Sequence, residues 1–288
     1  MKQLYPRVGL QRLCGLFGYS RQSYRKGQIR AENQAFESAL VVDLVREVRK
    51  KIARIGGKKL YFMLKARLFE HRIKMMGRDV FFEVLRENGL LIKRRKKRPW
   101  TTWSKHKLRT YPNLIRGLIP KRPNELWVSD ITYIRVGDKW HYVIFITDAY
   151  SRMVVGFNVS DHMDAEFCKQ ALDQALEQWK DRREPLIHHS DRGLQYCSTL
   201  YTDKLLENHI QISMTEHGDP LENAIAERVN GIFKEDFGMD KNFENLAEAK
   251  PQISQMVYHY NHTRPHASCD YLTPVQAHAQ NGLLPKRW

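Results

Sequence analysis

Apolar positions in the first ninety residues recur at helical spacing. Phe36, Leu40, Val41, Leu44, Val45, Val48 and Ile52 fall three and four apart, which predicts a helix over 36–53. The Gly56–Gly57 pair interrupts this stripe, and residues 58–70 predict a second helix. Val80, Phe81, Val84, Leu85 and Leu90 predict a third over 77–91, with Gly89 at its end. Upstream, residues 9–27 predict a helix, a turn at Gly18 and a further helix capped by Ser20. That outline fits a DNA-reading helix-turn-helix and also fits a hairpin that merely docks. The apolar stripes are core in either case.

From residue 124 the period changes to two. LWVSDITYIRV and WHYVIFITDAY predict strands joined at Gly137–Asp138, and SRMVVGFNVS predicts a third. A helix over 164–180 follows, then a short buried strand, PLIHHSD, with Asp191 at its carboxyl end. Residues 198–208 predict a helix, IQISM a fifth strand, and 220–236 and 244–262 two more helices, the last ended by Pro265. Three antiparallel strands followed by crossovers predict an α/β core, a five-stranded mixed sheet with flanking helices. The first strand and the strand after the first helix can lie side by side at its centre. The expected division is 1–30 and 31–98 as all-α helix-turn-helix and winged-helix-like regions, 99–123 as a linker, 124–236 as the core and 237–288 as a helical extension.

Charge sharpens this division. Residues 1–123 hold 32 Lys and Arg against 8 Asp and Glu, and residues 124–288 hold 16 against 24. A basic half joined to an acidic half implies a polyanion partner for the first, and nucleic acid is the best fit. A basic membrane-surface protein is the rival, but no long amphipathic helix with a clean apolar face supports it. The candidate contacts are Lys58, Lys59, Lys65, Arg67, Arg72, Lys74 and Arg78. The run Lys93, Arg94, Arg95, Lys96, Lys97, Arg98 fits phosphate contact or a solvated tether. The four cysteines show no CxxC spacing, so neither a disulfide framework nor a zinc finger is indicated, and a reducing cytosol fits. No run has signal-peptide or membrane-spanning character.

Three carboxylates carry the candidate chemistry: Asp130 in LWVSDITYI, Asp191 in HHSDRGLQYCS and Glu227 in GDPLENAIAERVNGIFK. Among 32 acidic residues, spacing alone identifies nothing, and the local frames carry the weight. Two divalent ions roughly 3.5–4 Å apart need shared oxygen ligands, which carboxylates supply, and such a pair suits in-line phosphoryl displacement. The predicted topology brings Asp130 and Asp191 together, with Glu227 reaching in from a helix.

In these frames the chain resembles a DDE transposase of the integrase superfamily, and most closely the second-frame protein of bacterial insertion elements of the insertion sequence three family. The family pattern W-x-x-D-[IL]-T appears as Trp127, Asp130 and Thr132. H-S-D-x-G-x-Q-Y-x-S appears as His189, Ser190, Asp191, Gly193, Gln195, Tyr196 and Ser198. G-x-P-x-D-N-A-x-x-E appears as Gly218, Pro220, Asn223, Ala224 and Glu227, with Lys234 seven residues on. The tail holds Tyr260, Asn261, Arg264, Pro265 and His266, then Leu272, Thr273 and Pro274. Glu222 stands where the family usually has Asp, and no His/Cys zinc module of the retroviral kind is present. The resemblance implies a ribonuclease-H-like core and Mg²⁺ or Mn²⁺, two per site, held by Asp130, Asp191 and Glu227. It implies cleavage of element ends and strand transfer of the 3′-hydroxyl, in the cytoplasm at the nucleoid. Double-stranded DNA, as terminal inverted repeats and target, is the implied partner. So are a homo-oligomer, at least a dimer, and an upstream-frame helix-turn-helix/zipper protein or a fusion with it.

Other positions stay open between two roles. Lys234 shares a helical face with Glu227 and fits DNA contact or a surface ion pair. Asn223 fits orientation of ligand or DNA, or a helix cap. Gln195 and Tyr196 fit contact with the DNA end or buttressing of the turn, and Arg264 joins the DNA-contact candidates. His188 and His189 fit structural roles or metal binding, His259, His262 and His266 fit packing or DNA contact or a zinc site, and Asp148 fits a turn cap or a fourth acid of the site. The apolar positions of Phe243–Tyr260 fit a subunit interface or the helix's own core. Two rival functions remain: a non-catalytic DNA-binding protein derived from a transposase, and a structure-selective nuclease on the same fold.

Overall fold

The structure, a computed structural model, describes residues 6–70, 76–92, 108–180, 184–216 and 220–284. The basic run from Lys93 to Arg98 lies outside the described residues, as do Arg72, Lys74 and Gly218. The chain divides into two compact units, one of residues 1–48 and 60–91, the other of 49–59 and 92–288.

The helices α1 (Leu10–Leu16), α2 (Arg21–Lys51), α3 (Gly57–Glu70) and α4 (Arg78–Glu87) supply the first unit. Ser20 caps α2, its Oγ accepting from the Ser23 N–H at 3.0 Å. The expected boundary between residues 30 and 31 falls inside α2, which runs unbroken for 31 residues. The segment QIRAENQA holds neither proline nor glycine, and its Ala, Glu, Gln and Arg propagate a helix at little cost. Val41, Val42, Leu44, Val45 and Val48 are buried, as are Leu60, Leu64 and Leu68 of α3 and Phe81, Val84 and Leu85 of α4. Tyr61 packs on Phe81 at 5.4 Å between ring centres. Phe36, expected in this stripe, is 72 % exposed. Among the described residues of this unit there is no strand, so the winged-helix expectation reduces to its helices.

The second unit is built on β1 (Leu126–Val136), β2 (Lys139–Asp148), β3 (Val154–Ser160), α5 (Ala165–Gln178), β4 (Ile187–Ser190), α6 (Thr199–Glu207), β5 (Gln211–Met214), α7 (Ala224–Asp236), β6 (Asn242–Phe243), α8 (Leu246–His262) and α9 (Pro274–His278). The sheet order is β3-β2-β1-β4-β5, with β1–β2 and β2–β3 antiparallel and β1–β4 and β4–β5 parallel. This is a ribonuclease-H-like mixed sheet. The two-residue β6, which no sequence period announces, adds to the far end of β1. One sheet face packs Trp127, Ile144, Ile146 and Val155 against Phe167, Leu172 and Leu176 of α5. The other packs Leu126 and Val128 against Ala226 of α7, and Phe145 stacks on Phe233 at 4.3 Å.

Both sheet edges are covered. Asn261 of α8 donates to the Val154 carbonyl at 2.9 Å and accepts from its N–H at 3.0 Å. Gln174 accepts from the Phe157 N–H and Gln178 donates to the Val155 carbonyl. These amides occupy backbone groups that would otherwise template a foreign strand. Along β5, the Met214 N–H bonds the Pro112 carbonyl and the Leu114 N–H bonds Ser213 Oγ. The described half of the expected linker is therefore docked on the sheet. Phe243, Ile253, Val257 and Tyr260 are buried within this unit, so the apolar face considered for a subunit interface packs into its own core.

Helix α5 passes closely over β3 at Gly156. A Cβ on Gly156 would lie 2.2 Å from the Ala171 carbonyl oxygen and 3.0 Å from the Ala175 Cβ. Gly156→Ala is expected to push α5 off the sheet and destabilise the second unit by about 3 kcal/mol, read as a lowered midpoint in equilibrium urea unfolding.

Candidate active site

Asp130 owes its position to the residue three before it. Trp127 is fully buried, its indole N–H donates to Asn124 Oδ1 at 3.0 Å, and its ring meets Trp179 edge-on at 5.7 Å. Asn124 sits in the left-handed region at φ 57°, a conformation Asn tolerates. Its own N–H is held by Asp148 Oδ2 at 2.7 Å. With β1 locked in this way, strand alternation turns Trp127 to the α5 face and Asp130 to the α7 face. Asp148 also accepts from the Ser151 N–H and Oγ at 2.7 and 2.6 Å, which makes it a turn anchor apart from the carboxylate site.

Asp191 follows β4, whose parallel register with β1 pairs Trp127 with His188 and Val128 with His189. Its Oδ1 accepts from the Gly193 N–H at 2.9 Å. A Cβ at Gly193 would stand 3.0 Å from that same oxygen, so a larger residue there would oblige the Asp191 carboxylate to shift by a few tenths of an ångström. His188 and His189 are buried below it. His188 shares a hydrogen bond with the Tyr201 hydroxyl at 3.0 Å, and His189 with Ser213 Oγ at 2.8 Å. Burial pushes their pKa values down to about 3 and about 4, so both are neutral structural groups.

Helix α7 supplies the third carboxylate, Glu227, at an exposed position in its first turn. A 3-10 turn, Pro220–Asn223, leads into it. Asn223 occupies the capping position without a side-chain cap and instead donates to the Ser129 carbonyl at 3.0 Å. Glu222, the departure from the family pattern, accepts from the Glu216 N–H at 2.7 Å and from Asn113 Nδ2 at 3.4 Å. It thus stitches the approach to α7 onto the docked linker. Asn230, one turn beyond Glu227, donates from Nδ2 to Asp130 Oδ2 at 2.9 Å. Sequence reasoning missed it, although its spacing from Glu227 puts it on the same helical face. Lys234 lies half-buried on that face, its pKa lowered by desolvation against the opposing charges of Asp130 and Asp240.

These groups act on one another through charge. Desolvation, then Asp191, then Glu227 raise the Asp130 pKa to about 7, against the bond from Asn230. The donor set is all carboxylate oxygen, which suits a hard divalent cation, and a cation there would relieve the repulsion that holds the Asp130 proton. Yet among the described residues no three His, Cys, Asp or Glu side chains are grouped closely enough to hold an ion as they stand. Asp191 is turned onto the Gly193 N–H.

Several expected DNA contacts turn out to be internal. Tyr196 is fully buried and its hydroxyl accepts from Ser129 Oγ at 2.7 Å, so it buttresses β1. Gln195 donates to the Met163 carbonyl at 2.8 Å. Arg264 is buried, with its guanidinium on Asp236 Oδ2 at 2.7 and 2.9 Å, and cannot reach DNA. Lys59 pairs with the same carboxylate at 3.8 Å, and burial lowers its pKa to about 8. Arg67 pairs with Glu47 and Arg78 with Asp79, while Lys58 and Lys65 are exposed. His266 is buried against the Tyr260 hydroxyl at 3.1 Å. Among the described residues no helix is long and apolar enough to cross a membrane.

Two family profiles described as integrase core domain match the chain, at residues 120–220 and 208–274. The chain belongs to the integrase-core transposases of insertion elements, and it is a DDE-type polynucleotidyl transferase acting on DNA. It is 33 % identical over 227 residues to the transposase for insertion sequence element IS629 of Shigella sonnei, covering 73 % of this chain and 76 % of that protein. It is 29 % identical over 231 residues to the transposase InsF for insertion sequence IS3A of Escherichia coli K12, covering 79 % and 78 %. The HTLV-2 integrase catalytic core domain in complex with magnesium superposes with a TM-score of 0.41 at 18 % identity, over 55 % of this chain and 97 % of that one.

The raised pKa of Asp130 makes a sign-definite prediction for protein kept in EDTA. Its folded-state pKa, about 7, lies above the unfolded value of 3.8. The group therefore favours the native state most at low pH, and that contribution is lost as pH rises from about 4 to about 7. Asp130→Asn should unfold at a higher temperature than the native sequence at pH 8, with the gap closing toward pH 5. Scanning calorimetry across that range measures it.

Proposed function

We propose that Asp130, Asp191 and Glu227 are the catalytic carboxylates of this transposase and that together they hold Mg²⁺ or Mn²⁺, two per site, for cleavage of element ends and joining of the 3′-hydroxyl to DNA. The observation that carries this reading is the packing of the three motif segments: β4, which Asp191 follows, lies beside β1, and Asn230 of the helix that carries Glu227 donates to Asp130 at 2.9 Å. When bound, a divalent pair would activate the attacking oxygen and stabilise the leaving one. Asn230 fixes the rotamer of Asp130, Asn223 tethers the start of α7 to β1, and the Gly193 N–H orients Asp191. Lys234 meets the phosphate beside the scissile bond. Lys58 and Lys65 contribute to phosphate binding from α3. Two protomers or more hold paired ends, which raises the local concentration of the attacking hydroxyl. An upstream-frame helix-turn-helix/zipper protein joins them, as a separate chain or as a fusion.

Asp130→Asn, Asp191→Asn and Glu227→Gln are each expected to abolish cleavage and joining, by at least about a thousandfold, while DNA binding in EDTA is kept. A gel assay of strand transfer beside a binding titration measures both, and near-native joining by any of the three would overturn the assignment. The non-catalytic and nuclease readings predict, respectively, no cleavage by the native protein and cleavage without joining.

Lys58→Ala with Lys65→Ala should lower the slope of log affinity against log salt by about 0.9 for each phosphate that is no longer neutralised. An unchanged slope would remove both residues from the DNA surface.

A further inference from the structure

Residues 112–118 of the second unit touch the supports of all three carboxylates. The Pro112 carbonyl accepts from the Met214 N–H of β5 at 3.3 Å. The Leu114 N–H donates at 2.9 Å to Ser213 Oγ, which lies 2.8 Å from Nδ1 of His189, two residues before Asp191. Ile115 and Leu118 pack into the cluster formed by Leu126 and Val128 of β1 and Ala226 of α7, with Ile225 beside them. Ala226 immediately precedes Glu227.

Polar groups of the same stretch hold the turn into α7 from both sides. The Asn113 N–H donates to Glu216 Oε1 at 3.1 Å, and Asn113 Nδ2 donates to Glu222 Oε1 at 3.4 Å. Arg116 Nη2 lies 3.1 Å from Glu216 Oε2 and 3.8 Å from Glu222 Oε1. Glu222 Oε2 accepts from the Glu216 N–H at 2.7 Å and closes the ring. Asn113 Oδ1 accepts from the Ile115 N–H at 3.0 Å, which fixes the direction of its amide. Next in the chain after Glu222, Asn223 donates to the Ser129 carbonyl, one residue before Asp130.

The Arg116 side chain is 68 % exposed, and an ion pair so open to water adds little to folding. Glu222 is only 12 % exposed, and its place decides where α7 begins. Misplacing a catalytic group by about 1 Å can cost about a hundredfold in rate, so contacts that add little stability can still govern the chemistry.

We propose that Asn113 and Arg116 are positioning residues for the transposase reaction. Through Glu216 and Glu222 they set where the first turn of α7 stands, and with it how far Glu227 reaches toward Asp130 and Asp191. They act on the turn and not on DNA. This inference rests on the reading of Glu227 as the third catalytic carboxylate.

The test is strand transfer by the full chain, followed as a single-turnover rate against DNA concentration. Asn113→Asp keeps an acceptor for the Ile115 N–H but sets a carboxylate against Glu222. It should lower the rate at saturating DNA on the order of tenfold to a hundredfold, with the half-saturating DNA concentration unchanged. Arg116→Ala should give a smaller loss of the same kind. Adding Glu222→Gln to Asn113→Asp exchanges donor and acceptor across the contact, and should recover most of the rate. Amide exchange over residues 224–230 should quicken in Asn113→Asp and slow again in the double variant, while that of α5 stays as it was. An unchanged rate in both single variants would overturn the proposal. So would a raised half-saturating concentration with an unchanged rate, which marks DNA contact. A double variant no faster than Asn113→Asp, with a lowered unfolding midpoint in both, would reduce the contacts to general stability and overturn it as well. Should Glu227→Gln join DNA normally, the catalytic reading fails; should Glu227→Gln be inactive while Asn113→Asp and Arg116→Ala join at the native rate, only the positioning role fails.

Discussion

The register of β1 is the constraint on which the rest of the catalytic unit depends. A strand turns successive side chains to opposite faces, so a slip of one residue would exchange its two surfaces. Trp127 prevents the slip: its ring is enclosed against Trp179 and its N–H is bonded to Asn124, which Asp148 holds in turn. Three residues further on, the opposite face presents Asp130 to α7. Anchor and chemistry share one strand and never compete for the same space.

The motif-bearing tail works at a distance from the chemistry. The Tyr260 hydroxyl donates to the Arg152 carbonyl, Asn261 closes two bonds on Val154, and Arg264 clasps Asp236 at the end of α7. One short segment thus fixes the start of β3 and the far end of the helix that carries Glu227. Burying Arg264 with one carboxylate is costly in isolation, and removing either partner would leave an uncompensated charge inside the protein. Such a clamp explains a motif rich in polar residues that has no exposed surface to offer.

The strand order and the two aspartates were legible in the sequence because they rest on local signals: a period of two, turn residues at Gly137–Asp138, and short frames around each acid. Burial was not legible where it depends on partners far along the chain. Arg264 and Lys59 look like DNA contacts until Asp236 is found beside them, and Tyr196 looks like a loop aromatic until Ser129 is found above its hydroxyl. Asn230 could have been found from its helical spacing to Glu227. The short β6 could not, because two residues carry no period. The long α2 escapes for the opposite reason: two weak helical signals are separated by a stretch that is itself a good helix former.

The catalytic unit is discontinuous along the chain, since residues 49–59 belong to it while 60–91 do not. Within that early segment, the Arg54 N–H bonds the Asp236 carbonyl at 2.7 Å and Lys59 pairs with its side chain. On the ribosome these partners are made far apart in time. At ~5–20 residues per second, Asp236 is synthesised roughly ten to thirty-five seconds after Lys59. The helical unit, by contrast, has its whole sequence by residue 91 and can fold while the rest is still being translated. Birth order therefore imposes a sequence on maturation: the helical unit is complete first, and the nuclease-like sheet must wait for α7 before it can enclose a piece of chain made long before.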